Sequence, residues 1–202
     1  MSGAAGAIVF GGSFDPIHMG HLILAECAAD ALGREPVLFV PAARPPHKSA
    51  GDLSPASDRA AMVRLAVEGN RRFAFSGVEL GREGRSYAID TIRQIAAERG
   101  GARPAYLIGA DSLADLLQWK DPEAILSESE VVVFPRPGTD ARDVSARLEG
   151  RYRMLDTPRI EISATVIRER AGRGLSIRYL VPEAVRHYIE ERGLYRRERG
   201  ET

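Results

Sequence analysis

The chain has 202 residues, and its 28 lysines and arginines balance 28 aspartates and glutamates. This balance provides no overall field to attract nucleic acid or an anionic membrane, so neither is an expected partner. The single cysteine excludes an internal disulfide. No apolar run approaches the length of a membrane-spanning helix, and the N-terminus lacks the features of a signal peptide. We expect one cytoplasmic domain over residues 1–202 with flexible ends at 1–7 and 196–202, either monomeric or homo-oligomeric.

Strand-like and helix-like segments alternate along the chain, which is typical of a parallel sheet covered on both faces. Strands are predicted at 8–10, 37–40, 73–80, 105–108 and 130–135, and a short strand ends at 161–162. Apolar residues at three- and four-residue steps predict helices at about 22–32, 57–68, 89–96, 122–126, 140–148 and 183–192. The predicted fold class is α/β, a doubly wound, Rossmann-like parallel sheet in a single domain.

The first strand leads into the segment GGSFDPIHMGH, residues 11–21. Gly11 and Gly12 have no Cβ, so a phosphate can lie close to the backbone there. His18 and His21 fall at the start of the next helix, where backbone N–H groups and the helix dipole favour an anion. Both imidazoles can donate hydrogen bonds to phosphate oxygens. A nucleotide triphosphate site is predicted.

Other types of site fit this segment less well. The chain contains no Gly-Lys-Ser or Gly-Lys-Thr, so it has no Walker A loop, and the glycine spacing is not that of the dinucleotide fingerprint. No cysteine or carboxylate cluster completes a zinc site around the histidines, and no metal ligands are predicted. A tight turn with a core histidine is the structural alternative. It gives no reason for a histidine pair at the carboxyl end of a strand, where ligands usually bind.

The segment resembles the signature of the nucleotidyltransferases with a His-x-Gly-His motif, and within them the bacterial nicotinate-nucleotide adenylyltransferases. The resemblance extends from about Val9 to about Tyr195. It implies transfer of the adenylyl group of ATP to nicotinate mononucleotide in NAD biosynthesis, giving deamido-NAD and pyrophosphate. ATP and nicotinate mononucleotide are then the expected small-molecule partners.

A proline-rich, basic loop at 42–55 follows the second predicted strand and should overhang the same end of the sheet. It can be a mobile segment that brings cations to phosphate or an ordinary solvated loop. Its Pro-Pro-His-Lys stretch resembles the family and implies that Lys48 binds phosphate. In the helix that follows, Arg59 and Arg64 fall off the apolar stripe and are predicted to be solvated.

Ser86 and Tyr87 begin the third predicted helix, where residue type alone indicates an N-cap and a packing residue. The family usually has Ser-Tyr-Thr-x-x-Thr here, and the helix N–H groups meet the nicotinate carboxylate. This chain keeps Thr91 but has Ala88 in place of the first threonine. Trp119, the only tryptophan, is placed like the family's stacking residue for the pyridine ring.

Three further groups of residues are candidates for nucleotide binding. Gly109, Asp111 and Ser112 match the family's Gly-x-Asp-Ser, although Asp111 could simply cap a helix. Arg136, just beyond a predicted strand, could pack over adenine or lie in solvent. Ser163, Thr165 and Arg168 resemble the family's Ile-Ser-Ser-Thr-x-Ile-Arg signature and could hold the β- and γ-phosphates.

Adenylyl transfer by direct in-line attack requires no protein nucleophile, and the chain has none that is obvious. Catalysis would depend on positioning and on neutralising charge, with no covalent enzyme intermediate. Mg²⁺ is expected, held mainly by the ATP phosphates, because the sequence offers no carboxylate cage. The predicted catalytic residues are His18, His21 and Arg168. The predicted substrate-binding residues are Gly11, Gly12, Ser13, Phe14, Lys48, Ser86, Tyr87, Gly109, Asp111, Ser112, Trp119, Arg136, Ser163 and Thr165.

Two other functions stay open at this point. One is transfer to another acceptor such as phosphopantetheine, and the other is a non-catalytic nucleotide sensor that signals to a partner.

Overall fold

Six parallel strands form one sheet in the computed structural model, which describes residues 6–46, 51–136 and 146–196. The spatial order of the strands is β3-β2-β1-β4-β5-β6. Their bounds are β1 Ile8–Gly12, β2 Val37–Pro41, β3 Phe73–Phe75, β4 Ala105–Gly109, β5 Glu130–Phe134 and β6 Tyr152–Met154. The predicted fold class is confirmed.

Helices connect the strands and cover both faces of the sheet. They are α1 Met19–Leu32, α2 Ala56–Val67, α3 Ala88–Glu98, α4 Ala110–Asp115, α5 Pro122–Glu128, α6 Ala164–Gly172 and α7 Glu183–Glu191, with 3₁₀ turns at Leu116–Gln118 and Ala146–Leu148. None of the helices in the described segments is long and apolar enough to cross a membrane.

The alternation of side chains along β1 shows how the core is divided. Ile8 and Phe10 pack on one side with residues of α1, α2, α6 and α7, whereas Val9 packs on the other side with α3, α4 and α5. Each face therefore has its own hydrophobic layer. The sheet is buried between them, which explains the continuous apolar runs of the central strands.

The strand order reverses direction at β1, which lies between β2 and β4. At such a switch point the connections leave toward opposite faces, and a crevice opens beyond the carboxyl ends of the strands. The first strand was expected to end before Gly11 and Gly12. Instead, both glycines belong to β1 and pair with Val40 and Pro41. The hydrogen-bonded pairing of β1 with β2 therefore continues up to the crevice.

Two predicted strands are wrong. The strand expected at 73–80 ends at Phe75, because Ser76 makes the last bond to β2 and the chain turns with Leu80 N–H bonded to the Gly77 carbonyl. No strand ends at 161–162; the sixth strand is β6, which pairs with β5. β6 is a short, half-exposed edge strand, and it therefore lacks the apolar run that marks the others.

Some expectations fall on residues outside the described ranges. Of the helix expected at 140–148, only the last part is described, as the 3₁₀ turn Ala146–Leu148. Of the ends expected to be flexible, 1–5 and 197–202 are not described. Ala7 is buried, and its carbonyl accepts from Ala105 N–H.

Candidate active site

Two adjoining cavities open at the carboxyl ends of β1 and β4. The first, of about 390 Å³, contains both predicted histidines and is called the histidine cavity. The second, of about 490 Å³, is lined by Pro45 and Pro46 of the 42–55 loop and is called the loop cavity. They share a wall formed by Gly11, Gly12, Ser13, Tyr106, Ser112 and Trp119.

Most of the predicted site residues meet at these cavities. The histidine cavity brings together Gly11, Gly12, Ser13, Phe14, His18, His21, Gly109, Asp111, Ser112, Trp119, Arg136, Ser163 and Arg168. Ser86 and Tyr87 line the loop cavity. Thr165 lines neither, and its hydroxyl accepts from Arg168 Nη2 at 3.3 Å. Lys48 lies outside the described residues. A third cavity, of about 500 Å³ between α6 and α7, contains none of the predicted residues.

His18 is the N-cap of α1, and its ring stacks on that of His21 with 3.7 Å between the ring centroids. The backbone N–H of His18 donates to His21 Nδ1 at 3.2 Å. Because a backbone N–H can only donate, Nδ1 carries no proton, and the proton of the neutral ring is on Nε2. His21 is therefore fixed in the tautomer that can donate a hydrogen bond through Nε2–H.

Burial keeps both imidazoles neutral. It lowers the pKa of His21 well below its usual value, helped by the neighbouring His18 ring and by the positive charge of Arg136. It lowers the pKa of His18 to about 3, again helped by Arg136. His18 Nδ1 is buried without a hydrogen-bond partner in the part of the chain that the structure describes. The described residues contain no group of three or more His, Cys, Asp or Glu that could hold a metal ion.

Aromatic rings hold His21 from the sheet side. Phe14 and Phe10 meet its ring edge-on at 5.0 and 5.8 Å between ring centroids. Phe14 is buried and has a left-handed backbone, with φ of 47°. A Cβ on Gly12 would lie 3.1 Å from the Phe14 ring, so a larger residue at this position would press on that buried ring. What Phe14 can offer a ligand is its backbone.

Asp15 joins four segments next to the histidines. Its Oδ1 accepts from the Tyr195 hydroxyl at 2.7 Å, and its Oδ2 accepts from Ser54 N–H at 3.1 Å. Its backbone carbonyl accepts from Arg168 Nη1 at 2.8 Å. Neither Asp15 nor Tyr195 was predicted, because the contact joins residues that are far apart in the sequence. Residues 11–13, called the glycine turn below, are separated from Asp15 by one residue, and that position was the one available signal.

The start of α6 agrees with the sequence prediction. Ser163 is its N-cap, and its hydroxyl accepts from Val166 N–H at 3.2 Å. Arg168 points back across the cavity to the Asp15 carbonyl. The helix N-terminus and the guanidinium therefore face the glycine turn from the opposite side of the cavity.

Arg136 and Asp111 occupy the β4–β5 side of the histidine cavity. Arg136 Nε lies 3.7 Å from Asp111 Oδ1, and its guanidinium carbon lies 5.2 Å from the centroid of the Phe134 ring. A Cβ at Gly109 would meet the Asp111 carboxylate, so a larger residue there would require this side chain to move. Asp111 lies inside α4 with Gly109 as the N-cap, so the capping alternative for Asp111 is wrong.

Ser86 does not cap α3 either, because Tyr87 is its N-cap. The Ser86 hydroxyl instead accepts from Ala43 N–H at 3.1 Å and Arg44 N–H at 3.2 Å, which ties α3 to the start of the 42–55 loop. Thr91 is fully buried and donates to Glu79 Oε1 at 2.6 Å. Thr91, the threonine shared with the family motif, is therefore a buried residue that stabilises the cavity through its hydrogen bond.

Glu79 is a buried carboxyl that sequence reasoning missed. It lines the loop cavity, and its Oε2 has no hydrogen-bond partner among the described residues. Burial raises its pKa, against the hydrogen bonds of Thr91 and Ser86. Nothing in the local pattern distinguished it, because the whole of 73–80 was interpreted as an alternating strand.

Two cations also line the loop cavity, Arg85 and Lys120. Lys120 pairs with Asp90 at 3.1 Å, and its Nζ lies 4.8 Å from the centroid of the Tyr87 ring. The nearby Trp119 ends the 3₁₀ turn and meets Tyr106 edge-on at 6.5 Å between ring centroids. The indole therefore lies where the two cavities join.

Arg59 was predicted to be solvated, and this is wrong. It is 1% exposed, and its guanidinium donates to four backbone carbonyls near the cavities. The apolar periodicity of α2 gave no sign of this, because the partners belong to loops on either side. Arg64 on the same helix is exposed, as expected.

The chain is similar to proteins of a known family. Residues 9–170 match the family model described as cytidylyltransferase-like. The chain is 43% identical to a probable nicotinate-nucleotide adenylyltransferase of Symbiobacterium thermophilum, covering 94% of each chain. It is also 43% identical to a protein of the same name from Rubrobacter xylanophilus, covering 96% of this chain and 95% of that one.

Among solved structures, the chain resembles a Plasmodium falciparum nicotinic acid mononucleotide adenylyltransferase complexed with NaAD. The TM-score is 0.78, and the match covers 95% of this chain and 97% of that one. Sequence identity is 16%, so this likeness supports the fold alone.

The low pKa of His18 predicts that acid destabilises the fold. Below pH 6.5 the unfolded chain takes up a proton on this residue that the folded chain does not, so the free energy of unfolding falls as the pH decreases toward 3. Each such histidine lowers the free energy of unfolding by about 1.4 kcal/mol for each pH unit. Urea unfolding at pH 7.5 and 5.5 should therefore show wild type losing about 1 kcal/mol more than His18→Asn.

His187, which is exposed on α7, provides the matched control. Between these two pH values, the free energy of unfolding of His187→Asn should fall by the same amount as that of wild type. Equal losses in wild type and His18→Asn would contradict the neutral buried state of His18.

Proposed function

We propose that this chain, which belongs to the cytidylyltransferase-like family and within it to the nicotinate-nucleotide adenylyltransferases, transfers the adenylyl group of ATP to nicotinate mononucleotide. The products are deamido-NAD and pyrophosphate. The observation that carries the proposal is the pair of cavities that meet at Gly11–Gly12–Ser13, one containing the neutral histidines and the other the α3 N-terminus. A nucleotide in each cavity brings the two phosphate groups to the shared wall.

ATP occupies the histidine cavity in this proposal. Its phosphates lie over Gly11 and Gly12, between the start of α1 and the start of α6. His21 Nε2–H donates to the phosphate that reacts, and Arg168 faces the leaving pyrophosphate. These groups are already oriented in the free protein by the His18 backbone and by Asp15. Donors oriented in advance stabilise developing charge without reorganising during the reaction.

The chemical step is an in-line displacement. A phosphate oxygen of nicotinate mononucleotide forms a bond to the α-phosphorus of ATP. The bond from that phosphorus to the bridging oxygen breaks, and its electron pair leaves with pyrophosphate. The buried, neutral histidines act as hydrogen-bond donors and not as nucleophiles. No covalent enzyme intermediate is formed, and catalysis comes from positioning and charge stabilisation.

Mg²⁺ arrives as part of the substrate, the Mg²⁺ complex of ATP. The described residues offer no carboxylate cluster for the ion, and both oxygens of Asp15 already accept hydrogen bonds. Mg²⁺ commonly keeps most of its waters and binds through substrate phosphates. The phosphates of ATP therefore hold the ion, as the sequence predicts.

The acceptor occupies the loop cavity. The N-terminus of α3 lies at this cavity through Tyr87 and Ala88, and Arg85 and Lys120 also line it. Both features favour a carboxylate over an uncharged amide on the pyridine ring. The Trp119 indole provides a flat face for that ring. Ala88 leaves these backbone donors in place, although it lacks the hydroxyl that is usual in the family.

Pyrophosphate release tests the function directly. The protein is given ATP and Mg²⁺ with nicotinate mononucleotide, nicotinamide mononucleotide or phosphopantetheine in separate reactions. Release with nicotinate mononucleotide well above the other two is expected. Preference for another acceptor would contradict the assignment of the loop cavity. Tight ATP binding without release in any reaction would instead support a nucleotide sensor.

His21→Ala should lower kcat by about 100-fold or more, because it removes one oriented donor to the transition state. The fold should change little, as judged by the far-UV spectrum and thermal unfolding. His187→Ala, on the exposed surface of α7, is the control and should keep the wild-type kcat. Near-wild-type turnover by His21→Ala would rule out the proposed role.

Trp119→Ala should raise KM for nicotinate mononucleotide far more than KM for ATP, because stacking on the pyridine ring is lost. Steady-state kinetics with each substrate varied in turn gives both values. Trp119→Phe retains a flat ring, so its KM for nicotinate mononucleotide should lie between those of wild type and Trp119→Ala. An equal rise in both KM values would show that Trp119 only packs the shared wall.

A further inference from the structure

Among the described residues, the buried guanidinium of Arg59 donates its hydrogen bonds to backbone carbonyls. Nε donates to the Ser54 carbonyl at 3.0 Å, and Nη2 donates to the Ala43 carbonyl at 3.2 Å. Nη1 donates to the carbonyls of Ser13 at 2.8 Å and Ala42 at 2.7 Å. Four donor contacts by one planar, permanently charged group fix the relative position of their acceptors in a way that a lysine ammonium cannot.

The acceptors of Arg59 belong to three separate segments. Ala42 and Ala43 are the first residues of the 42–55 loop, and Ser54 is near its end. Ser13 follows β1, on the wall shared by the two cavities. Arg59 therefore closes the loop across its two ends and fastens both ends to the glycine turn.

The N–H groups of the same backbone are held by other residues. Ala43 and Arg44 donate to the Ser86 hydroxyl, Ala42 donates to the Gly12 carbonyl, and Ser54 donates to Asp15. Replacing Arg59 leaves these bonds available and removes the donors to the carbonyls. The expected effect is therefore a loosened loop base, with the sheet and its two cores intact.

The consequence for the site lies in the loop cavity. Pro45 and Pro46 form one wall of it and directly follow the clamped residues. Gly11, Gly12 and Ser13 form the wall shared with the histidine cavity. Arg59 bonds to carbonyls on both sides, to that of Ser13 on the shared wall and to those of Ala42 and Ala43 just before the prolines.

We propose that Arg59 is a positioning residue for the acceptor nucleotide. It contacts neither substrate, and it holds the loop wall of the acceptor cavity at a fixed distance from the glycine turn on which the reacting phosphates meet. The identity of the acceptor rests on the function proposed above, whereas the clamp on the loop does not.

Kinetics of Arg59→Lys and Arg59→Met test the positioning role. A lysine can reach one or two of the carbonyls and retains the charge. In both variants KM for nicotinate mononucleotide should rise about tenfold, while KM for ATP should change less than about threefold. A residue that only stabilised the fold would reduce the folded fraction, and hence the apparent kcat, without changing either KM.

Arg64→Met is the matched control, since Arg64 lies on the same helix but is exposed, with its guanidinium carbon 3.6 Å from the centroid of the Phe75 ring. It should keep both KM values. An acceptor KM within twofold of wild type in Arg59→Lys and in Arg59→Met, whatever their kcat, would overturn the proposal.

Amide hydrogen exchange gives a readout that does not depend on turnover. In Arg59→Lys, the amides of Ala43, Arg44 and Ser54 should exchange at least about tenfold faster than in wild type, with the strands of the sheet unchanged. Unchanged exchange at these amides, or faster exchange throughout the sheet, would overturn the clamp. If the wild-type protein releases no pyrophosphate, the proposed function fails by itself, and exchange still decides whether Arg59 holds the loop.

Discussion

The hydrogen bond from the His18 backbone N–H to His21 Nδ1 determines what the site can do. It selects the tautomer of His21, and a ring in that tautomer can offer a proton donor at Nε2 while remaining uncharged. The surroundings then maintain this state. Burial against Phe14 and Phe10 and the charge of Arg136 disfavour protonation. A neutral donor needs no counter-ion, so the two histidines add no charge of their own that a carboxylate would have to balance.

The same region depends on buried charges bound mainly to backbone. Arg59 is surrounded by carbonyls, and the Asp15 carboxylate accepts from a tyrosine hydroxyl and a backbone N–H. Loops that bend over a crevice leave carbonyl and N–H groups without helix or sheet partners, and each such group is costly if it is buried unpaired. A single long side chain that satisfies several of them provides a fixed shape to a segment that has no regular structure.

The sequence predicted what is encoded locally. The glycines, the two histidines and the N-cap Ser163 belong to short continuous motifs at strand ends or helix starts, and the structure places them around one cavity. Prediction from the sequence failed for residues whose roles depend on partners far away in the chain. Arg59 was interpreted by its place on a helical stripe, whereas its partners are loop carbonyls. Ser86 looked like a cap because the loop that it binds starts more than 40 residues earlier. The edge strand β6 was missed because its side chains are partly or fully exposed, which leaves little apolar pattern in the sequence.

The wall shared by the two cavities has a consequence for the end of the reaction. In the proposed function, one molecule spans both cavities once the adenylyl group has been transferred, and it keeps the contacts that two separate substrates made before. It loses translational and rotational freedom once instead of twice, so it is held more tightly than either substrate alone. Tighter binding slows the departure of the dinucleotide, and accumulated product then competes with both substrates. The geometry that brings the reactants together thereby also lets the concentration of the finished dinucleotide restrain its own synthesis.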